Sequence, residues 1–143
     1  MITTKRLFGC AFVAGFLVAL SFSGCIFRPG TRFLIPDGYV GWVKIYYGVD
    51  DAPALEMFNG QLLIRVASDG TARTATTHDS RYGTDEYFYE DASGRLRPLK
   101  QEGVYRKADA LVHSHTYISS KTGLLVFFVG PRSTMDESTR PAD

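Results

Sequence analysis

Cysteine is scarce in this chain and is confined to its beginning. The 143 residues include two cysteines, Cys10 and Cys25, and none follows position 25. The part of the chain after Cys25 therefore has no thiol with which to form a disulfide or a thiolate metal site. A domain built from these residues must be held together by its hydrophobic core alone.

An excess of charge of either sign is also missing. Sixteen basic and fifteen acidic side chains give a formal net charge of +1. Loss of residues 1–24 would remove two cations, Lys5 and Arg6, and change the net charge from +1 to −1. Proteins that bind the phosphate backbone need a basic excess, so we expect no nucleic-acid partner.

The common motifs of nucleophilic catalysis are absent as well. The sequence contains neither a Gly-x-Ser-x-Gly elbow nor a Ser-x-x-Lys pair, both of which place an activated serine in known hydrolases. Neighbouring carboxylates such as Asp50 and Asp51 lie near turns, where acids are normally solvated, whereas acid–base chemistry needs buried carboxylates whose acidities are set apart. We expect a protein that is not an enzyme and that needs no cofactor.

What the chain does contain, at its start, is a basic segment followed by an apolar run. Lys5 and Arg6 precede 21 uncharged residues, 7–27, and small residues stand directly before Cys25. A positive segment, an apolar segment and small residues before the cut are typical of a secretory signal peptide. We predict a bacterial lipoprotein signal peptide, residues 1–24, with a covalent lipid on Cys25 that anchors the protein to a membrane of the cell envelope.

Two other interpretations of this run stay open. The signal could be cut without lipidation, or the run could remain as an uncleaved anchor, since about 20 apolar residues span a bilayer. The run resembles the bacterial lipobox, except that Phe22 occupies the position where that motif usually has Leu. By the same resemblance, Ile26 lacks the Asp that commonly retains lipoproteins at the inner membrane, which favours the outer membrane in a Gram-negative host.

The remaining residues are predicted to form a tether at 25–32, one domain at 33–131 and a disordered polar tail at 132–143. Segments rich in Val, Ile, Tyr, Phe and Thr alternate with turn dipeptides such as Asn59-Gly60 and Asp69-Gly70, a pattern typical of short strands. The fold class predicted is all-β, a small antiparallel β-sandwich or a partly open barrel.

Apolar alternation predicts the individual strands. In residues 39–47, Val43, Ile45 and Tyr47 share one face, and Lys44 indicates that the opposite face is more exposed to solvent. Hairpins are predicted between 61–67 and 72–77, between 85–90 and 95–99, and between 111–118 and Leu124–Val129. The last strand is apolar at every position, so we expect it to be central and covered on both faces.

Residues 35–42 have the sequence Ile-Pro-Asp-Gly-Tyr-Val-Gly-Trp. This segment resembles the opening motif, Ile-Pro-x-Gly-Tyr-x-Gly-Trp, of a family of uncharacterised bacterial lipoprotein domains. The resemblance implies an exported all-β domain of unknown role, and it assigns no functional residue.

Four aromatic residues are candidates for contacting a glycan or an envelope protein. Tyr39 and Trp42 flank Gly41, which would let a ring or backbone approach closely. Tyr87 and Tyr89 alternate on a predicted strand near arginines, and Tyr and Arg are enriched at binding hot spots. The alternative is that these rings pack in the core or across strands.

His113 and His115 are the candidate metal ligands, because alternate residues of a strand share a face and two imidazoles can bind one ion. The alternative is a pair of hydrogen-bonded histidines on a half-exposed strand. The sequence thus favours a non-catalytic binding or structural module of the envelope. The second hypothesis is an exported protein that binds zinc or copper through His113 and His115.

Overall fold

A computed structural model describes residues 28–79, 83–102, 110–119 and 123–141, with the backbone alone for 114–119. The predicted signal peptide and Cys25 lie outside these residues. Within the described part of the chain, no helix has the length and apolar character needed to cross a membrane. These residues form nine strands, whose bounds are β1 Thr31–Pro36, β2 Gly41–Tyr46, β3 Glu56–Phe58, β4 Gln61–Arg65, β5 Thr71–Arg73, β6 Glu86–Glu90, β7 Leu96–Leu99, β8 Val112–Ser119 and β9 Leu124–Val129.

The strands form two sheets, which confirms the all-β prediction. One sheet has the order β3-β4-β1-β6-β7, and the other has the order β5-β2-β9-β8. The sheets are mixed and not purely antiparallel as predicted: β1 is parallel to β4 and to β6, and β2 is parallel to β5, whereas the other pairs are antiparallel.

The core lies between the two sheets. Phe33 of β1 stacks on Tyr87 of β6 with ring centroids 4.9 Å apart, and Phe127 of β9 meets both rings edge-on at 5.4 and 5.2 Å. Val43 and Ile45 of β2 are fully buried in the same core, as the alternation in 39–47 predicts. Each buried side chain of this size contributes about 1.5–3 kcal/mol.

The two later hairpins are confirmed. β6 pairs with β7 and β8 pairs with β9, both antiparallel. β9 lies between β2 and β8 with all six residues buried, so its predicted central position is also confirmed.

The first predicted hairpin is wrong, because β4 and β5 belong to different sheets. Ala67 and Gly70 close a turn, with the Gly70 amide donating to the Ala67 carbonyl at 2.9 Å. The chain then crosses the edge of the sandwich, and β5 pairs with β2 in parallel, with Lys44 opposite Thr71. A turn signal between two strands does not show which sheet the second strand joins.

Residues 132–141, for which the sequence predicts a disordered tail, contain two short 3-10 turns, Arg132–Thr134 and Glu137–Thr139. The indole Nε1 of Trp42 donates to the Asp136 carbonyl at 3.3 Å and to Thr139 Oγ1 at 3.2 Å. The segment is largely exposed but lies against the outer face of the four-stranded sheet.

Candidate functional site

The first described residues are fixed to the domain by a salt bridge. Arg28 Nη2 lies 2.7 Å from Asp85 Oδ2, and the two side chains are 12% and 13% exposed. The other oxygen of Asp85 accepts from the Thr31 amide at 3.1 Å, and Arg28 Nη1 donates to Thr31 Oγ1 at 3.1 Å. The hydrogen bond to Asp85 raises the pKa of Arg28 above its ordinary value. The chain is therefore held against the sheet from Arg28 onward.

Gly30 reinforces this attachment through the backbone. Its carbonyl accepts from the Leu62 amide at 2.9 Å, and a side chain at this position would overlap the carbonyl oxygen of Thr84. Arg28 is three positions after Cys25, so about 3.5 Å per residue allows a span of roughly 10 Å at most. A lipid on Cys25 would keep this part of the domain close to the membrane surface.

We call this part of the sandwich the Arg28 end, defined by the starts of the parallel strands β1, β4 and β6 with residues 28–30, 59–60 and 84–85. A small cleft lies here, lined by Asp85 and His78 among others. His78 meets Tyr47 edge-on with ring centroids 5.0 Å apart. Burial, together with the nearby Arg28 charge, lowers the pKa of His78. The cleft has about 30 Å³ of free space, enough for a water molecule but too little for an organic ligand.

A second cleft opens at the edge of the sandwich, between the β3–β4 hairpin and β5. It has about 200 Å³ of free space and is lined by apolar residues that include Ile45 and Leu55, and by Arg65 and Arg73. Sites for small molecules usually have about 300–1,000 Å³. This cleft therefore fits a side chain of a partner better than a whole small molecule.

The four candidate aromatic residues are not brought together on one surface. Tyr87 and Tyr89 are core residues, 2% and 5% exposed, and burial raises the pKa of both phenols. Trp42 lies on the outer face of the other sheet, edge-on to Phe128 at 5.4 Å. Tyr87 and Tyr89 therefore offer a ligand little surface, although Tyr89 lines a cleft with Asp37 and Arg97.

Tyr39 has a structural part in the turn between β1 and β2. Its hydroxyl donates to the Trp42 carbonyl at 2.7 Å, and its own carbonyl accepts from the Tyr89 hydroxyl at 2.7 Å. The expected close approach to Gly41 is confirmed, because a Cβ there would lie 3.2 Å from the Tyr39 hydroxyl. Two glycines, Gly41 and Gly70, make room for this ring.

His113 is buried, with 1% of its surface exposed. Its Nδ1 lies 3.0 Å from Glu102 Oε2 and its Nε2 lies 3.1 Å from the Gly130 carbonyl. Arg132 Nη1 also donates to both oxygens of Glu102, at 2.9 and 2.8 Å. A metal ion needs a free nitrogen lone pair, so coordination by His113 would require one of these contacts to break.

The side chain of the other predicted ligand, His115, lies outside the described residues. Among the residues that are described, no three His, Cys, Asp or Glu side chains are grouped so as to hold a metal ion. The His113 contacts instead connect β8 with the end of β9 and with the chain after β7.

We expect His113→Ala to lower the free energy of unfolding by about 1–3 kcal/mol, because the buried Gly130 carbonyl loses its donor and Glu102 loses a partner. Urea unfolding of both proteins, with and without EDTA, checks this. If His113 has only a structural role, EDTA changes the unfolding curve of neither protein. A wild-type protein destabilised by EDTA, beside a His113→Ala variant indifferent to it, would favour the metal-binding hypothesis.

A comparison with protein families decides the membership of this chain. A model described as a family of unknown function (DUF6843) matches residues 29–135. The chain belongs to this family. The match starts one residue after Arg28 and includes all nine described strands of the DUF6843 domain. The resemblance to an uncharacterised family is thereby confirmed at the level of a family without known function.

The DUF6843 domain is also similar to a 2.75 Å crystal structure of a candidate lipoprotein from Bacillus anthracis. The TM-score is 0.55, the sequence identity is 20%, and the match covers 79% of this chain and 78% of that chain. At this identity the likeness shows a shared fold and no more. No curated protein matches the chain.

Sequence reasoning missed the residues that hold the Arg28 end of the DUF6843 domain together. Arg28 and Asp85 are 57 positions apart, and Arg28 stands in a Pro-Gly segment that is typical of a tether. The neighbours of Arg28 in the sequence, Pro29 and Gly30, do not show whether its side chain forms a salt bridge or is exposed to solvent. Glu102 was missed for the same reason, since its partners come from β8 and the segment after β9.

Proposed function

We propose that this protein is an exported lipoprotein, anchored to a membrane of the bacterial envelope through a lipid on Cys25. Its single β-sandwich acts there without catalysis, as a binding or structural module. In a Gram-negative host, Ile26 favours the outer membrane.

The observation that carries this proposal is the short distance between Cys25 and the folded domain. The Arg28–Asp85 salt bridge and the Gly30–Leu62 hydrogen bond fix the chain three residues after Cys25. A rigid domain beginning so close to a lipidated cysteine is suited to work at the membrane surface, since the connection is too short to extend far from it. The description of the similar Bacillus anthracis protein as a candidate lipoprotein supports the same location.

The contacts of the buried polar groups support a module without catalysis. His113, Glu102 and Asp85 each hold separate segments of the chain together. Groups used for acid–base chemistry must instead reach a substrate in a cleft. The cleft beside Asp85 has about 30 Å³ of free space. We therefore propose that the domain binds an envelope protein or glycan through its outer surface.

Intact-mass spectrometry of the full chain expressed in a bacterium tests the proposal. We expect a mature chain from Cys25 to Asp143 with the added mass of a diacylglyceryl group, recovered with the membrane fraction. Cys25→Ala should leave the precursor uncleaved and unlipidated. Cys10→Ala is the matched control, because it removes the other cysteine of the apolar run, and it should be processed like the wild type.

Two results would contradict the proposal. A mature chain without lipid would mean cleavage by an ordinary signal peptidase. A wild-type protein with the unlipidated full-length mass would mean that residues 7–27 remain as an uncleaved anchor.

A further inference from the structure

Two large apolar side chains are exposed at consecutive positions of β3, directly before the turn to β4, where strand alternation directs them to opposite faces of the sheet. Met57 is 58% exposed and Phe58 is 54% exposed. They precede Asn59 and Gly60, whose φ angles of 50° and 77° form the tight turn. Large apolar side chains exposed together at the tip of a hairpin are candidates for contact with a partner or a membrane.

The strand register places this turn at the Arg28 end. Leu62 is aligned with Thr31 in the parallel pair of β4 and β1, and its amide bonds to the Gly30 carbonyl at 2.9 Å. Phe58 is aligned with Gln61 in the β3–β4 pair. Met57 and Phe58 therefore lie on the same end of the sandwich as the residues that follow Cys25.

That end must face the membrane if Cys25 carries a lipid. Because the chain is fixed at Arg28, the three residues back to Cys25 span roughly 10 Å at most. Apolar side chains in the interfacial region of a bilayer add to anchoring by burying their surface among headgroups and acyl chains. The exposed pair is thus positioned where a lipid surface would cover it.

A lipid surface also fits this turn better than an added strand from another protein. β3 has three residues, so its edge offers few backbone hydrogen bonds for strand addition. The outer face of the same sheet carries ion pairs, Arg32 with Glu86 at 3.0 Å and Arg65 with Glu90 at 3.5 Å. The apolar surface is therefore concentrated at the turn and does not continue across the sheet.

We propose that Met57 and Phe58 insert into the interfacial region of the membrane that holds the lipid anchor, and so orient the sandwich on that membrane. This inference rests on the proposed anchoring through Cys25. The attachment then has two points, the lipid and the β3–β4 turn, and the opposite end of the sandwich faces away from the bilayer.

Val40 provides a matched control at that opposite end. It lies in the turn between β1 and β2 and is 51% exposed, close to the value for Phe58. Phe58→Cys and Val40→Cys are made in the full chain, and the purified lipoproteins are reconstituted into phosphatidylcholine–phosphatidylglycerol vesicles. In the lipidated protein Cys10 is removed with the signal and the Cys25 thiol is blocked, so an environment-sensitive fluorophore labels the new cysteine alone.

We expect a blue-shifted emission at position 58 that is lost when doxyl-labelled lipid is included in the vesicles. The label at position 40 should show the emission seen in water and no quenching. Met57→Cys provides a second variant, expected to behave like Phe58→Cys. Both turn residues are exposed, so unfolding midpoints in urea should stay close to that of the wild type.

The mass of each sample separates failure of this inference from failure of the proposed function. A lipid-modified protein whose labels at positions 57, 58 and 40 are all unquenched overturns the membrane contact alone. A protein without lipid on Cys25 overturns the anchoring, and the inference falls with it.

Discussion

Phe127→Ala should lower the free energy of unfolding by about 3–5 kcal/mol. Phe127 is fully buried and meets Phe33 and Tyr87 edge-on, so its ring joins β9 of one sheet to β1 and β6 of the other. The truncation removes the ring's burial and leaves a cavity where the two sheets meet. Since domains of this size have a total stability of about 5–15 kcal/mol, the loss is a large part of the whole.

Urea unfolding of the purified protein in mild detergent, followed by far-ultraviolet circular dichroism, measures this loss. Phe58→Ala is the matched control, because it removes the same atoms from a side chain that is 54% exposed. We expect it to change the free energy of unfolding by less than about 0.5–1 kcal/mol. Similar losses in the two variants would show that Phe127 does not contribute the contact between sheets described above.

Gly70→Ala should destabilise the domain by about 2–5 kcal/mol, the sum of a backbone cost and a packing cost. Gly70 has a φ of +80°, which is unfavourable for residues with a Cβ. A Cβ there would overlap the Tyr39 hydroxyl and lie 2.8 Å from the Trp42 carbonyl. The Tyr39 ring cannot move aside freely, because its hydroxyl bonds to that carbonyl and its backbone carbonyl accepts from Tyr89.

Gly94→Ala separates the two costs. Gly94 also has a φ of +80°, but a Cβ there would meet no atom within 4 Å. Gly94→Ala should therefore lower the free energy of unfolding by the backbone cost alone, about 1–2 kcal/mol. Thermal or urea unfolding of the two variants gives the packing contribution as the difference. Equal losses would mean that Tyr39 does not occupy the space above Gly70.

The part of the fold that could be predicted from the sequence is the part that depends on neighbours in the chain. The all-β class, the buried face of β2 with Val43 and Ile45, and the hairpins β6–β7 and β8–β9 follow from alternation and turn residues. β9 could be placed at the centre of a sheet because all six of its residues are apolar. In each case the information lies within about 20 consecutive residues, which is the range over which turn and strand patterns operate.

The strand at the centre of the other sheet could not be predicted in this way. β1 has the sequence Thr-Arg-Phe-Leu-Ile-Pro and is buried on both faces, so it shows no alternation. Its partners, β4 and β6, are parallel to it and begin about 30 and 55 positions later. Parallel pairing needs long connections, and the residues of a strand do not indicate which distant segment will lie beside them.

The candidate residues divide in the same way. Their side-chain chemistry could be read from the sequence: a thiol in a predicted lipidation motif at Cys25, an imidazole at His113, and aromatic rings at Tyr39, Trp42 and Tyr87. Their surroundings were decided by tertiary structure, which buried Tyr87 in the core, placed Trp42 under the C-terminal turns, and gave His113 two oxygen partners.

The sequence by itself determined the strand-forming character of the chain, its exclusion of disulfides after position 25, and the motif that predicts export and lipidation. Only the tertiary structure decided that Arg28 pairs with Asp85, 57 positions away. It also placed Met57 and Phe58 at the Arg28 end of the sandwich. The physical reason is that composition and periodicity act locally, whereas the position of a side chain relative to a membrane depends on which distant strands pair and in what direction.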